Sequence, residues 1–115
     1  MQTIALHTRI AEGREADYDR EHAVIPAELD AALRRAGVHA WRIWRDGCDI
    51  FHLVEVEDYR AMRLALAQDP ANQRWQEHIN QFLEIEDDYS GEDECITPVW
   101  SLSEHPAPAA HEEAP

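Results

Sequence analysis

Tyr18 and His22 are the residues of this chain whose types and spacing best suit chemistry. An imidazole exchanges its proton near neutral pH, with an ordinary pKa of about 6.5, and a side chain four residues earlier on a helix shares its face. The pair can therefore accept and return a proton beside a hydroxyl-bearing ligand. Trp41, Trp44, Trp75 and Trp100 each offer a flat apolar face and one N–H donor, a surface that suits the C–H face of a sugar ring or another amphipathic ligand. Ordinary packing accounts for the same residues, with Tyr18 and His22 carrying their polar tips at the rim of a core and the tryptophans filling it.

The remaining polar candidates read more blandly. Arg42 and Arg45 flank the strand tryptophans and pair most simply with the abundant carboxylates, while His39 and His52 read as half-buried, satisfied strand histidines. None of the seven histidines stands at a recognised metal spacing, and Cys48 and Cys95 are isolated thiols rather than a ligand pair. Phosphate-cradling glycine loops, His-Glu-x-x-His and Gly-x-Ser-x-Gly are all missing from the sequence. Neither a metal nor an organic cofactor is expected.

The elements that must hold these side chains follow from periodicity. Residues 3–10 read as a first strand, ended by Ala11-Glu12-Gly13. A helix over 14–36 places Tyr18, His22, Ile25, Leu29 and Leu33 on one face, and Gly37 stops it. Pro26 has no N–H for the carbonyl of His22, so the helix should kink or restart there. Residues 38–45 and 49–56 then form a hairpin around Asp46-Gly47, with His39, Trp41 and Ile43 on one face of the first strand and Ile50, His52, Val54 and Val56 on one face of the second. Trp41 and Trp44 have opposite parity, so at most one of them meets the helix that bears Tyr18 and His22. Apolar residues on both faces of the second hairpin strand imply a sheet covered on both sides, with a second protomer as the economical cover.

Asp58 is placed to cap a helix over 59–67, and Asp69-Pro70 breaks the chain before a helix over 71–82 carrying Trp75. An acidic loop over 84–94, a final strand over 95–102 and a disordered Pro/Ala-rich tail over 103–115 complete the chain. The order matches the split strand-helix-strand arrangement of a ferredoxin-like α+β domain over 1–102. With 10 Lys+Arg against 24 Asp+Glu and a formal charge of −14, the surface repels nucleic-acid backbones and anionic membranes. No apolar run approaches the roughly 18 residues of a spanning helix and no leader pattern opens the chain, so a cytoplasmic location is expected.

Tyr18 with Glu21-His22, Pro26 to Leu29, Gly37-Val38-His39-Ala40-Trp41-Arg42-Ile43-Trp44, Phe51 to Val56 and Gln73-Arg74-Trp75 occur in an order and spacing that resembles the L-rhamnose mutarotase family, over residues 1–102. The resemblance implies a ferredoxin-like monomer of the dimeric α/β-barrel type, a homodimer, and a cofactor-free aldose 1-epimerase with a sugar as its small-molecule partner. It implies that His22 is the catalytic histidine, that Tyr18 contacts substrate and that Trp75 forms a pocket wall. Trp41 falls where the family has a tyrosine, Gln76 where it can show a second tryptophan, and residues 23–27 depart from its proline and aromatic pattern. The loss of a hydroxyl at Trp41 leaves L-fucose or another sugar open beside L-rhamnose as substrate. A non-catalytic sugar-binding module and a haem-handling protein of the same barrel type are the other readings of this fold.

Overall fold

The computed structural model describes residues 1–84 and 95–102. Three antiparallel strands, β1 (Gln2–Arg9), β2 (Val38–Asp46) and β3 (Asp49–Val56), form a sheet in the order β1-β3-β2. One sheet face carries four helices, α1 (Glu15–His22), α2 (Ala27–Arg35), α3 (Tyr59–Ala67) and α4 (Pro70–Asn80). This is the ferredoxin-like α+β arrangement expected from the element order.

The predicted long helix is two helices. α1 ends at His22, residues 23–26 leave the helical path, and Pro26, extended at ψ 141°, caps α2. The missing proline N–H is the cause, and it yields a restart rather than a kink. Gly37 follows α2 at φ 97°, donates its N–H to the carbonyl of Arg34 and turns the chain into β2. Asp58 and Asp69 cap α3 and α4 by accepting backbone N–H groups of Ala61 and of Ala71 and Asn72. Pro70 therefore opens α4 instead of preceding it, since its absent N–H is an orphan at a first turn in any case.

The hairpin turns through Gly47 and Cys48, with Gly47 at φ 62° in the first loop position. Its register corrects one sequence expectation. A bulge between Val38 and Ala40 puts Val38 opposite Val56 and Trp41 opposite Val54, so both face the helices, and His39 does not share the face of Trp41 and Ile43. His39 is instead exposed, paired at 2.9 Å with Glu57. The final strand expected over 95–102 is also absent as such. Ile96 makes one antiparallel bridge to Ala5 on the free edge of β1 and the chain then runs irregularly, because Pro98 cannot donate to a ladder and restricts Thr97. The acidic loop falls almost wholly in 85–94 and the tail in 103–115, outside the described residues.

The core lies in two parts on the helix side of the sheet. Leu6, Val38, Val54 and Val56 meet Ala32, Tyr59, Met62 and Leu66 in one; Ile10 and Ile50 meet Tyr18, Ile79 and Phe82 in the other. No helix among the described residues covers the opposite sheet face, and Trp44, Phe51 and Ile96 are 53%, 41% and 44% exposed there.

Gly37 combines a φ that L-residues rarely adopt with a Cβ position 3.4 Å from the Glu57 side chain. Gly37→Ala is expected to lower unfolding free energy by about 1–2 kcal/mol, measured as a shifted urea midpoint at constant slope.

Candidate active site

Between the two halves of the core, polar side chains enter the helix-facing side of the sheet. On the helix-facing side of its centre, Thr8 of β1 and His52 of β3 lie beside Ile43 of β2. Above them is a cavity of about 500 Å³. Its walls are Tyr18, His22, Ile25, Leu29 and Leu33 from the α1–α2 stretch, Trp41 and Arg45 from β2, and Asn72, Trp75 and Gln76 from α4. The amphipathic stripe read from the sequence is thus real, but only Tyr18 and Leu29 of it are fully buried; the rest lines a space large enough for a small ligand.

The four predicted site residues, Tyr18, His22, Trp41 and Trp75, all line this one cavity. Tyr18 and His22 stack, with ring centroids 4.0 Å apart, and Trp75 presents its ring edge-on to His22 at 5.2 Å. The His22 ring lies 3.0 Å through Nδ1 from the carbonyl oxygen of Tyr18. A carbonyl only accepts, so Nδ1 carries the proton and Nε2 keeps its lone pair. Among the described residues Nε2 has no protein partner. Burial holds the imidazole below its ordinary pKa, against the opposing pull of the Tyr18 carbonyl and the Asp19 and Glu21 carboxylates. The neutral ring is the form that accepts a proton.

Other lining residues read from the sequence as structural rather than functional, as Arg45 and His52 do, or were not singled out, as with Thr8, Asp19 and Asn72. Arg45 reaches across from β2 to Asp19 of α1 in a two-pronged pair, Nε to Oδ1 and Nη2 to Oδ2 both at 2.7 Å, and donates a third bond to the Gly47 carbonyl. This clamp fixes the start of the cavity wall to the hairpin and holds the Asp19 carboxyl below its usual range. Asn72, buried, donates through Nδ2 to the Leu66 carbonyl and accepts a long contact from Gln76. His52 is half-buried and satisfied, as expected of it, with the Trp41 indole N–H donating to Nδ1 at 3.2 Å and Thr8 Oγ1 2.9 Å from Nε2. Burial, aided by the Arg63 cation and by His22 and His7, pushes the His52 pKa down to about 4. The usable signal was inward parity: Thr8 and His52 are polar residues at positions of β1 and β3 that the strand pattern turns toward the helices. Trp44 faces the side opposite the helices and Trp100 is exposed, so neither belongs to the cavity. No group of three or more metal-ligating side chains occurs among the described residues.

A ferredoxin-like domain with a sheltered, neutral histidine between aromatic walls is the class that fold and cavity define together. The L-rhamnose mutarotase family model matches residues 3–102, and the chain belongs to that family of isomerases, which interconvert anomers. L-rhamnose mutarotase of Opitutus terrae is 38% identical over 80 residues, covering 68% of this chain and 76% of the relative. The L-rhamnose mutarotase of Burkholderia orbicola is 30% identical over 106 residues, 89% of this chain and 99% of its own. Among solved structures, L-rhamnose mutarotase from Formosa agariphila superposes with a TM-score of 0.73 at 18% identity, covering 90% of this chain and 100% of that one. Tetracenomycin F2 cyclase from Streptomyces glaucescens superposes at 0.59 with 20% identity and the same coverage, a likeness of fold alone. No helix among the described residues is long and apolar enough to cross a membrane.

The histidine assignments carry a pH consequence. Between the ordinary pKa near 6.5 and the folded value near 4, the unfolded chain binds a proton at His52 that the folded chain does not, so stability falls as pH falls through that window. His22, also lowered, acts in the same direction. From pH 7 to pH 5 His52 is expected to cost about 1–2 kcal/mol, read by urea unfolding at the two pH values, and His52→Asn should remove that part of the loss.

Proposed function

We propose that this protein is a cofactor-free aldose 1-epimerase that interconverts the α and β anomers of L-rhamnose, with His22 as the proton-transfer residue and Tyr18, Trp41 and Trp75 as substrate contacts. The observation that supports this most directly is the fixed tautomer of His22, whose Nε2 lone pair is left for a ligand in a cavity of sugar size. Family membership supports the reaction and the sugar.

In the mechanism the anomeric hydroxyl gives its proton to Nε2 as the bond from C1 to the ring oxygen breaks, and the imidazolium so formed passes that proton to the ring oxygen, which becomes a hydroxyl. The open-chain aldehyde rotates about C1–C2, and the released hydroxyl adds to the other face of the carbonyl with the proton transfers reversed. No oxidation state changes and no atom is lost. A neutral imidazole performs both halves because its pKa lies close enough to working pH to accept and to release. Tyr18, stacked on His22, is positioned to orient a sugar hydroxyl, and Trp75 supplies an apolar wall against which a sugar's C–H face can stack.

Trp41 stands where the family resemblance places a tyrosine, so L-fucose is the alternative sugar, and the same assay separates the two. We further infer a homodimer formed over the sheet face opposite the helices, since Trp44, Phe51 and Ile96 make an apolar surface that a second copy would bury. A cytoplasmic setting is consistent with Cys48 and Cys95, which form no disulfide.

Saturation-transfer NMR is expected to show anomer exchange of L-rhamnose accelerated by the native protein, and His22→Ala to reduce the enzyme-dependent rate by at least about 100-fold. Unchanged exchange on addition of native protein, for L-rhamnose and L-fucose alike, would defeat the reading. Light scattering should give twice the chain mass for native protein, and Trp44→Glu should shift it toward the monomer.

A further inference from the structure

Trp41 has one polar atom, and in this structure that atom is spoken for. Its indole N–H can only donate, so the 3.2 Å contact to His52 requires Nδ1 of that imidazole to accept. A neutral imidazole with an accepting Nδ1 carries its proton on Nε2. That proton points along the 2.9 Å contact to Thr8, whose hydroxyl oxygen accepts it and keeps its own proton free to donate. The direction of a three-residue chain across all three strands is thereby fixed, from Trp41 on β2 through His52 on β3 to Thr8 on β1. The rings of Trp41 and His52 meet edge to face, 6.1 Å between centroids at 74°. All three residues line the cavity that holds His22.

We propose that His52 is a positioning residue for Trp41: by engaging the indole N–H it locks the ring against the sheet, so that this wall offers the substrate carbon surface rather than a hydrogen-bond donor, and it thereby selects a sugar that is apolar where it meets Trp41. The proposal rests on the mutarotase reading and deepens it. A tyrosine at this position would turn a hydroxyl toward the ligand, whereas an indole tied to His52 has nothing polar left to turn. The expected match is the methyl group of a 6-deoxy sugar, and the informative competitor is L-mannose, which differs from L-rhamnose only by the hydroxyl that replaces a hydrogen on that carbon. The preference of a pocket wall for methyl over hydroxymethyl is expected to be about tenfold.

The experiment is a double-mutant cycle in anomer exchange, with His52→Leu, Trp41→Phe and the pair, each assayed on L-rhamnose and L-mannose. In the native background His52→Leu is expected to raise KM for L-rhamnose about tenfold with kcat within about threefold, and to shrink the preference over L-mannose to about threefold or less. In the Trp41→Phe background, where no N–H exists to be held, the same substitution should change KM less than about twofold. His52→Asn, which keeps an accepting oxygen near the place of Nδ1, should restore most of the native KM. An equal effect of His52→Leu in both backgrounds, or failure of His52→Asn to rescue, would show that His52 only fills space and would overturn the proposal.

A measurement on native protein without sugar keeps the question open to refutation if the leucine variant does not fold. Nitrogen-15 NMR of the histidine rings should find His52 as the Nε2–H tautomer with a slowly exchanging Trp41 indole proton. An Nδ1–H tautomer, or rapid exchange of that indole, refutes the arrangement. If native protein accelerates no sugar's exchange, the mutarotase reading falls, while the tautomer and exchange measurements still decide whether His52 holds Trp41.

Discussion

Proline at position 26 cannot donate a hydrogen bond to the carbonyl of His22, and much of the site depends on that one missing proton. A continuous helix from 14 to 36 would lay its apolar stripe along one line. The break over 23–26 lets α1 and α2 take separate courses, so Tyr18 joins one half of the core while Ala32 joins the other. Ile25, Leu29 and Leu33 then line the space between the halves. His22 sits at the last turn before the break, where its ring is free to bond back to the Tyr18 carbonyl and present its other nitrogen outward. One imino acid thus helps to make both the room for a ligand and the orientation of the group that meets it.

Polar groups in such a space must be satisfied without filling it, and the sheet does this with short-range geometry. His52 and Thr8 bond within the sheet, and Arg45 and Asp19 bond across its edge, so the Trp41 indole, the His52 imidazole and the Arg45 guanidinium each donate to a fixed acceptor. The two histidines of the cavity are therefore unlike. His22 uses one ring nitrogen for orientation and keeps the other in reserve, whereas His52 has both committed. A general base needs the first arrangement; a structural imidazole needs the second.

The order of strands and helices up to α4, the helix break at Pro26, the cap at Asp58 and the hairpin around Gly47 were legible in the sequence, because each rests on a local property of one or two residues, whereas Asp69 reads there as a chain break and proves to be the cap of α4. The likeness of Tyr18, His22, Trp41 and Trp75 to a family brought four distant residues to one place, and the structure has them around one cavity. What local reading missed was non-local. The partners of Thr8, Asp19 and Arg45 lie 44, 26 and 26 residues away, set by strand register that no single stretch encodes. The extended strand expected over 95–102 failed for a local reason given too little weight, the proline at 98. His39 was put on the wrong face because strict alternation takes no account of a bulge.

That bulge sets the two ends of β2 under different anchors. Counting from Gly37, the chain delivers Val38 into the core beside Val56; counting back from Gly47, the hairpin delivers Trp41 and Ile43 into the cavity. Without an extra residue between them the two counts would have to agree. With it, the cavity-facing half of the strand and the core-facing half each keep their own phase. A change of side chain at the Trp41 wall can then leave the register of the core-facing half untouched.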